Sequence, residues 1–114
     1  MTGGSTTNGN LPQIWDCVAG SANQTWTVGA DNSVRGLGKC LDVANNSTAN
    51  GATVHLWDCY STVASQKWTA SNGALINTAS GKCLDVKDNL ATNGTKLQIW
   101  TCTGAANQRW TVPA

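Results

Sequence analysis

The chain has 114 residues, of which 11% are charged, and its formal net charge is +1. This length suits one domain rather than two, and no basic stripe is present of the kind that binds nucleic acid. No apolar run approaches the roughly 18 residues that a membrane-spanning helix needs. We therefore expect neither nucleic-acid binding nor membrane insertion.

Four sequence elements follow one another along the chain and then recur. In chain order they are a tryptophan-containing segment, a Gln-x-Trp segment, an apolar segment and a Gly-Lys-Cys-Leu-Asp-Val segment. The first occurs at 13–17, 55–59 and 98–102, the second at 23–28, 65–70 and 107–112, the third at 33–37 and 74–77, and the fourth at 38–43 and 81–86. The tryptophans of the first two elements recur 42 or 43 residues apart, so the chain is an array of repeats.

Each element has the length and apolar pattern of a short β-strand, and segments rich in Gly and Asn separate them. Short strands in three copies predict a closed all-β architecture, and three copies are too few for a propeller, which needs at least about four blades. We expect a single domain over residues 1–114, with repeats at approximately 1–37, 38–80 and 81–114.

The first and third copies are each one strand short. Repeat one begins just after the position where its own Gly-Lys-Cys-Leu-Asp segment should have ended, and repeat three stops before a fourth strand. The two missing strands would be neighbours where the chain closes on itself. The sequence therefore predicts an open seam on one side of the domain.

These motifs resemble the ricin B-chain-type lectins, and most closely carbohydrate-binding module family 13, which is found attached to bacterial glycoside hydrolases. The resemblance rests on the Gln-x-Trp motifs at Gln24, Gln66 and Gln108 together with the other elements, and it covers nearly the whole chain. It implies a β-trefoil, a six-stranded barrel capped by three hairpins, here without the first strand of repeat one and the last strand of repeat three. It also implies non-catalytic binding of galactose, lactose or xylan-type glycans.

The resemblance implies a sugar-binding site on repeat three. Trp100 would be the stacking platform, Asp85 would accept hydrogen bonds from two adjacent hydroxyls, and Asn107 would bond to the same hydroxyl pair. Gln108 would orient Asp85 rather than touch the sugar, and Asp88 completes the set. Trp suits the platform because it offers a large flat face, and the chain has six Trp but no Phe.

The other two repeats match this site less well. Repeat two supplies Asp42, Asn45, Trp57, Tyr60 and Gln66. Ser65 replaces the asparagine there and the loop after Cys59 is one residue longer than its counterpart in repeat three, so we rank this site second. Repeat one keeps Trp15, Asn23 and Gln24 but has no aspartate, and we expect no binding unless another chain supplies one. Trp26, Trp68 and Trp110 are predicted to pack in the core.

The five cysteines fall at regular places in the repeats and predict disulfides, which form in an oxidising compartment. We expect Cys40 to pair with Cys59 and Cys83 with Cys102. Cys17 lacks a partner and should be a free thiol or an intermolecular link. The cysteines indicate a domain of secreted, extracellular origin. Because no signal peptide precedes the repeats, we expect the present chain to be a mature piece or a recombinant fragment of that protein.

Catalysis is not expected, and no cofactor or metal is implied. The close pair Asp85 and Asp88 recurs within a repeat pattern, which catalytic carboxylate pairs rarely do. His55 is the one histidine, and a solvated or hydrogen-bonded role is favoured over catalysis or metal binding. The alternative function is a trefoil that contacts or inhibits other proteins. Exposed strand edges recruit partners, so self-association across the open seam is also expected.

Overall fold

The computed structural model describes residues 7–29 and 31–111. No α-helix occurs in these ranges, and eight short strands form two antiparallel sheets in the orders β1-β2-β3-β4 and β5-β6-β7-β8. The strands are β1 (Thr27–Val28), β2 (Val34–Gly36), β3 (Lys39–Val43), β4 (Val54–Trp57), β5 (Trp68–Ser71), β6 (Ala74–Asn77), β7 (Cys83–Val86) and β8 (Leu97–Trp100). The all-β class expected from the sequence is confirmed.

The two sheets are copies of each other in register. Cys40, Leu41 and Asp42 of β3 lie opposite Trp57, Leu56 and His55 of β4. Cys83, Leu84 and Asp85 of β7 lie opposite Trp100, Ile99 and Gln98 of β8 in the same way. Because successive side chains point to opposite faces, Leu41, Leu56, Leu84 and Ile99 enter the core while each aspartate shares a face with its tryptophan.

Each Gln-x-Trp element begins as a short 3₁₀ turn rather than as a strand. The turns span Ala22–Gln24, Ala64–Gln66 and Ala106–Gln108. The tryptophan that follows packs toward the core, as predicted: Trp68 is fully buried and donates its indole Nε1–H to the Leu41 carbonyl at 3.0 Å. Trp110 is half-buried and donates to the Leu84 carbonyl at 3.1 Å. Trp26 is half-buried and also packs against the core.

The three repeats contact one another in a ring through Asn-Gly turns. Each turn donates a backbone N–H to the tryptophan-containing segment of the next repeat: Gly9 N to Leu56 O at 2.7 Å, Gly51 N to Ile99 O at 2.9 Å, and Gly94 N to Ile14 O at 2.8 Å. Each turn also donates its asparagine side chain: Asn8 to Asp58 at 3.0 Å, Asn50 to Thr101 at 3.1 Å, and Asn93 to Asp16 at 3.0 Å. Repeat three thus contacts repeat one, and the ring closes.

The segment 13–17 is not a strand, and this part of the sequence prediction is wrong. Gln13 forms only an isolated bridge with Lys96. The equivalent strands β4 and β8 pair with β3 and β7, whereas no strand within residues 7–29 and 31–111 pairs with 13–15 on that side. The two strands predicted to be missing would adjoin residues 1–6 and 112–114, which lie outside the described residues.

An apolar cavity of about 160 Å³ lies between residues 12–14, β1 and residues 110–111. Core side chains form its floor, and the half-buried Trp26 and Trp110 flank it. In the complete part of the barrel, by contrast, Trp68 is covered and 2% exposed. The core is therefore less well covered on the side of the molecule where repeat one has no strand opposite 13–15 in the described ranges.

Both predicted disulfides are present. Cys40 is bonded to Cys59 and Cys83 to Cys102, each across 19 residues. Each bond ties a strand of the Gly-Lys-Cys-Leu-Asp-Val type to the loop after its tryptophan strand. Cys17, two residues after Trp15, carries an exposed free thiol.

Candidate functional site

The Asp85 carboxylate lies at the centre of the candidate site on repeat three. Asp85 is 4% exposed, and each carboxylate oxygen accepts one hydrogen bond from a glutamine amide. Gln108 Nε2 donates to Oδ2 at 2.8 Å, and Gln98 Nε2 donates to Oδ1 at 3.2 Å. Since a carboxylate can accept about four hydrogen bonds, roughly two positions remain for hydroxyl donors.

The hydrogen bonds of Gln108 are consistent with the orienting role predicted for it, which stays a prediction. Its Nε2 also donates to the Thr101 carbonyl at 3.0 Å, while its Oε1 accepts the backbone N–H of Thr103 at 2.7 Å. These bonds fix which end of the buried amide faces Asp85. The carboxylate is consequently held in one orientation before any ligand arrives, which lowers the entropic cost of binding.

Asn107 and Asp88 lie on two short turns that contact each other beside Asp85. The first turn is Ala106–Gln108 and the second is Lys87–Asn89. Asn107 is half-buried and donates Nδ2 to the Val86 carbonyl at 3.2 Å, which leaves its Oδ1 as an acceptor. Asp88 has a left-handed backbone, with φ of 56°, and its side chain is exposed. The structure thus brings Asp85, Asn107 and Gln108 together at the end of β7.

Trp100 ends β8 and is 41% exposed, on the same face of the sheet as Gln98 and Asp85. Its ring lies against the Asn50-Gly51 turn of repeat two, since a methyl group added at Gly51 would be 3.7 Å from Trp100 Cζ3. Asn50 also bonds to Thr101, the residue after the tryptophan. The platform is therefore held by the neighbouring repeat as well as by its own strand.

The repeat-two site has the same architecture but a more crowded carboxylate. Asp42 accepts hydrogen bonds from Ser65 Oγ at 2.7 Å, from Gln66 Nε2 at 3.4 Å and from His55 Nε2 at 3.3 Å. Three of its roughly four acceptor positions are occupied, against two at Asp85. His55 is thus hydrogen-bonded.

The remaining residues predicted for repeat two lie at the surface around Asp42. Trp57 is 36% exposed and stacks on His55 with ring centroids 5.2 Å apart. Tyr60 is exposed on the loop after Cys59, and Gln66 fixes that loop by accepting the Tyr60 backbone N–H at 2.8 Å. Asn45 is an exposed turn residue with φ of 59°.

The repeat-one remnant keeps its platform and its orienting amide. Trp15 is 55% exposed, and a methyl group added at Gly94 would be 3.9 Å from its Cζ3. Gln24 accepts the Val18 N–H at 2.6 Å and donates to the Asp16 carbonyl at 2.8 Å, as Gln108 does in its own repeat. The side chain of Asn23 lies outside the described part of the structure.

The Asn-Gly turns that contact Trp100 and Trp15 were not among the residues predicted for the site. Their signal is present, because Asn-Gly occurs at 8–9, 50–51 and 93–94 with the same 42- and 43-residue spacing as the tryptophans. The glycine of each turn has a positive φ between 86° and 92°, which glycine adopts without strain. A turn motif that recurs with the platform spacing belongs to the site and not only to the connections.

Two further features are absent from the described ranges. These residues contain no group of three His, Cys, Asp or Glu side chains that could hold a metal ion. They also contain no helix long and apolar enough to cross a membrane. None of the three platform tryptophans lines the cavity of about 160 Å³.

Known structures share this arrangement. The chain is similar to a designed three-fold symmetric protein, ThreeFoil, with 31% identity, a TM-score of 0.78, and coverage of 94% of this chain and 83% of that one. It is also similar to a non-toxic homologue of type II ribosome-inactivating proteins from Momordica charantia (bitter gourd), in complex with α-methyl-D-galactoside. There the identity is 30%, the TM-score is 0.85, and 97% of this chain and 41% of that one are covered.

A third similar structure is an enzyme, an exo-β-1,3-galactanase from Clostridium thermocellum. The identity is 26%, the TM-score is 0.68, and 81% of this chain and 22% of the enzyme are covered. The chain thus spans less than half the length of the gourd protein and of the galactanase. None of the curated protein sequences compared with it matches this chain.

A family model described as the ricin-type β-trefoil lectin domain matches residues 1–110. The match covers nearly the whole chain, and it agrees with the three-fold ring of repeats and with the lectin folds among the similar structures. The β-trefoil class is thereby confirmed. The chain belongs to the ricin-type β-trefoil lectin family, whose fold binds carbohydrate.

Proposed function

We propose that this domain binds galactose-type sugars without catalysis, and that its principal site is the one around Asp85 on repeat three. The observation that carries the proposal is the Asp85 carboxylate, held in place by two glutamine amides and still able to accept, on the same face of the sheet as the exposed ring of Trp100. A pyranose needs both features, a flat apolar surface for its C–H face and a fixed acceptor for adjacent hydroxyls.

Galactose is favoured over xylan-type glycans by one comparison. The structure of the gourd protein, at 30% identity, is a complex with α-methyl-D-galactoside, and the match covers 97% of this chain. Lactose is therefore the second ligand to test, and xylo-oligosaccharides are the third. The similarity to part of a galactanase supports an accessory role beside a glycoside hydrolase. The two disulfides support a secreted origin.

Calorimetric titration with α-methyl-D-galactoside tests the proposal. We expect a micromolar-to-millimolar dissociation constant, because shallow surface sites bury little of the ligand. This range corresponds to a binding free energy on the order of 4–8 kcal/mol. Asp85→Ala should abolish binding at repeat three, and Asp85→Asn, which keeps the shape but loses an anionic acceptor, should weaken it strongly. Trp100→Ala should also weaken it, through loss of the stacking surface.

The matched control is Asp42→Asn, which makes the same change at the more crowded site of repeat two. Asp42→Asn should remove at most the weaker sugar site of repeat two. The affinity of the stronger site on repeat three should be unchanged. Unchanged affinity in Asp85→Asn would refute the site assignment. An absence of binding to every sugar tested would instead favour a trefoil that contacts other proteins.

A further inference from the structure

One side of residues 13–15 in repeat one has no strand beside it in the described ranges. In each of the other two repeats, a strand covers the equivalent side. β3 covers β4 and β7 covers β8, but within residues 7–29 and 31–111 no strand covers the equivalent side of 13–15. We propose that this side is an acceptor groove for one extended segment that carries Cys-Leu-Asp, in the register that β3 and β7 have. The proposed occupant is a segment separate from residues 1–114, and the proposal does not depend on sugar binding.

The floor of the groove is apolar and suits a leucine. The cavity of about 160 Å³ opens here and is bounded by Ile14, Trp26, Leu84 and Trp110. In the complete repeats, Leu41 and Leu84 fill the equivalent positions and are 2% and 3% exposed. A leucine opposite Ile14, as Leu41 is opposite Leu56 and Leu84 opposite Ile99, would enter the cavity and cover the half-buried tryptophans.

Within residues 7–29 and 31–111, two hydrogen-bond donors in repeat one lack the acceptors that their counterparts have. Trp68 and Trp110 donate their indole N–H to Leu41 and Leu84 carbonyls, whereas Trp26 has no such acceptor within the described ranges. Gln66 and Gln108 each donate one amide hydrogen to an aspartate as well as one to a backbone carbonyl. Among the described residues, the Gln24 amide donates only to a backbone carbonyl, that of Asp16. A Leu-Asp segment in the same register would supply both acceptors.

The groove also complements the charge of the aspartate. The register of the other repeats places an aspartate opposite Gln13, as Asp42 is opposite His55 and Asp85 opposite Gln98. Lys96 donates to Gln13 Oε1, so an ammonium group lies beside that position. In the equivalent contact between repeats two and three, Thr53 takes the place of Lys96. Thr53 bridges to Gln98 and carries no charge. A lysine therefore lies beside this position in repeat one, where the equivalent contact of repeat three has a threonine.

The cysteine of such a segment would lie opposite Trp15, as Cys40 lies opposite Trp57 and Cys83 opposite Trp100. In both complete repeats that cysteine is bonded to the one two residues after the tryptophan. Cys17 stands two residues after Trp15 and its thiol is exposed. A docked strand would thus bring its sulfur to Cys17, which provides a covalent readout of docking.

The other candidate donors of such a strand are less well suited. Residues 1–6 contain no Cys, Leu or Asp. A second copy of this chain carries Cys-Leu-Asp only in β3 and β7, where both cysteines are already in disulfides. It could donate a strand only after breaking one of its own bonds. A separate segment with the required sequence has no such cost, so it is the occupant to which the groove corresponds.

The test uses the full chain with Cys17 reduced and both disulfides intact. The probe is acetyl-Gly-Lys-Cys-Leu-Asp-Val-amide, whose cysteine is activated as the mixed disulfide with thionitrobenzoate. The Cys17 thiolate attacks the peptide sulfur, a Cys17–peptide bond forms, and thionitrobenzoate leaves as a thiolate, so no external oxidant is needed. We expect release of one equivalent of thionitrobenzoate and a mass increase of one peptide.

The matched control peptide exchanges Leu and Asp, so that each side chain meets the wrong side of the groove. It should react at least about tenfold more slowly, because docking raises the effective concentration of the sulfur at Cys17. A competitor with Ser in place of the peptide cysteine should slow the reaction of the activated probe. Cys17→Ser protein should bind the competitor, seen as a change in tryptophan fluorescence, without covalent capture.

Two outcomes would overturn the proposal. Equal rates for the two activated peptides, with no effect of the serine competitor, would show that Cys17 is merely an exposed thiol. A dimer in light scattering that persists at saturating peptide, with the peptide unbound, would show that a second copy covers this side of the molecule.

Discussion

At the scale of single residues, Asp58 joins the first two repeats and does so in its charged form. The ammonium of Lys39 and then the amide of Asn8 donate hydrogen bonds to its carboxylate, and these contacts hold the pKa of Asp58 below its usual value of 3.8. Asn8 belongs to the turn of repeat one, whereas Asp58 and Lys39 belong to repeat two. The ionised carboxylate therefore stabilises a junction of the ring.

The stability of the fold should depend on this group below about pH 4. Because the folded-state pKa is lower than the unfolded value, the contribution is present above the unfolded pKa and is lost as the pH falls through the folded pKa. Asp58→Asn should unfold at lower denaturant concentration than the parent at pH 7, and the difference should shrink toward pH 2. Chemical unfolding at a series of pH values measures both. Lys39→Met removes the same pair from the other side and should show the same convergence; a difference that stays constant with pH would contradict the assignment.

At the scale of elements, each disulfide fastens a Gly-Lys-Cys-Leu-Asp-Val strand to the loop that carries its glutamine contact. Closing a loop of this length stabilises a protein by roughly 3 kcal/mol on the chain-entropy model. We expect one titratable thiol per denatured, oxidised chain, from Cys17, and all five after reduction. Reduction should also lower the denaturant midpoint, whereas Cys17→Ser should leave it unchanged because that side chain is exposed. Three or more thiols before reduction would refute the pairing in solution.

Some of these elements could be predicted from the sequence and others could not. The strands Lys39–Val43, Cys83–Val86 and Ala74–Asn77 were predictable because turn residues bound them and apolar positions recur in register. The lack of a strand at 13–17 in repeat one was not predictable, because the sequence there matches that of β4 and β8. A strand also needs a pairing partner, and this segment has none on the side where β3 and β7 pair with β4 and β8 in the described ranges. The aspartate–tryptophan–glutamine grouping followed from the family resemblance. The support of Trp100 by Gly51 depends on contact between repeats, which a pattern within one repeat does not reveal.

At the scale of the whole molecule, we expect self-association, because the core is less well covered on one side of the barrel. Light scattering at micromolar concentration should give a mass above the 11.9 kDa of one chain, with a dependence on concentration. Apolar surface around Trp26 and Trp110 supplies the driving force, and closed symmetry would cover it on both copies. The Gly-Lys-Cys-Leu-Asp-Val peptide occupies the same surface and should return the mass to that of one chain. A mass of one chain at every concentration, with or without peptide, would contradict this expectation.

If a sugar stacks on Trp100 as proposed, the contact between this ring and the Asn50-Gly51 turn would couple ligand affinity to the association of neighbouring repeats. A sugar that stacks on this ring binds only to molecules in which repeats two and three are docked, since the turn that supports the ring belongs to the other repeat. By linkage, such a ligand raises the free energy of separating the two repeats in proportion to the logarithm of its concentration, once it exceeds the dissociation constant. The bound glycan would then stabilise the association of the repeats in the ring. An isolated repeat of about 42 residues should neither fold nor bind as the intact domain does.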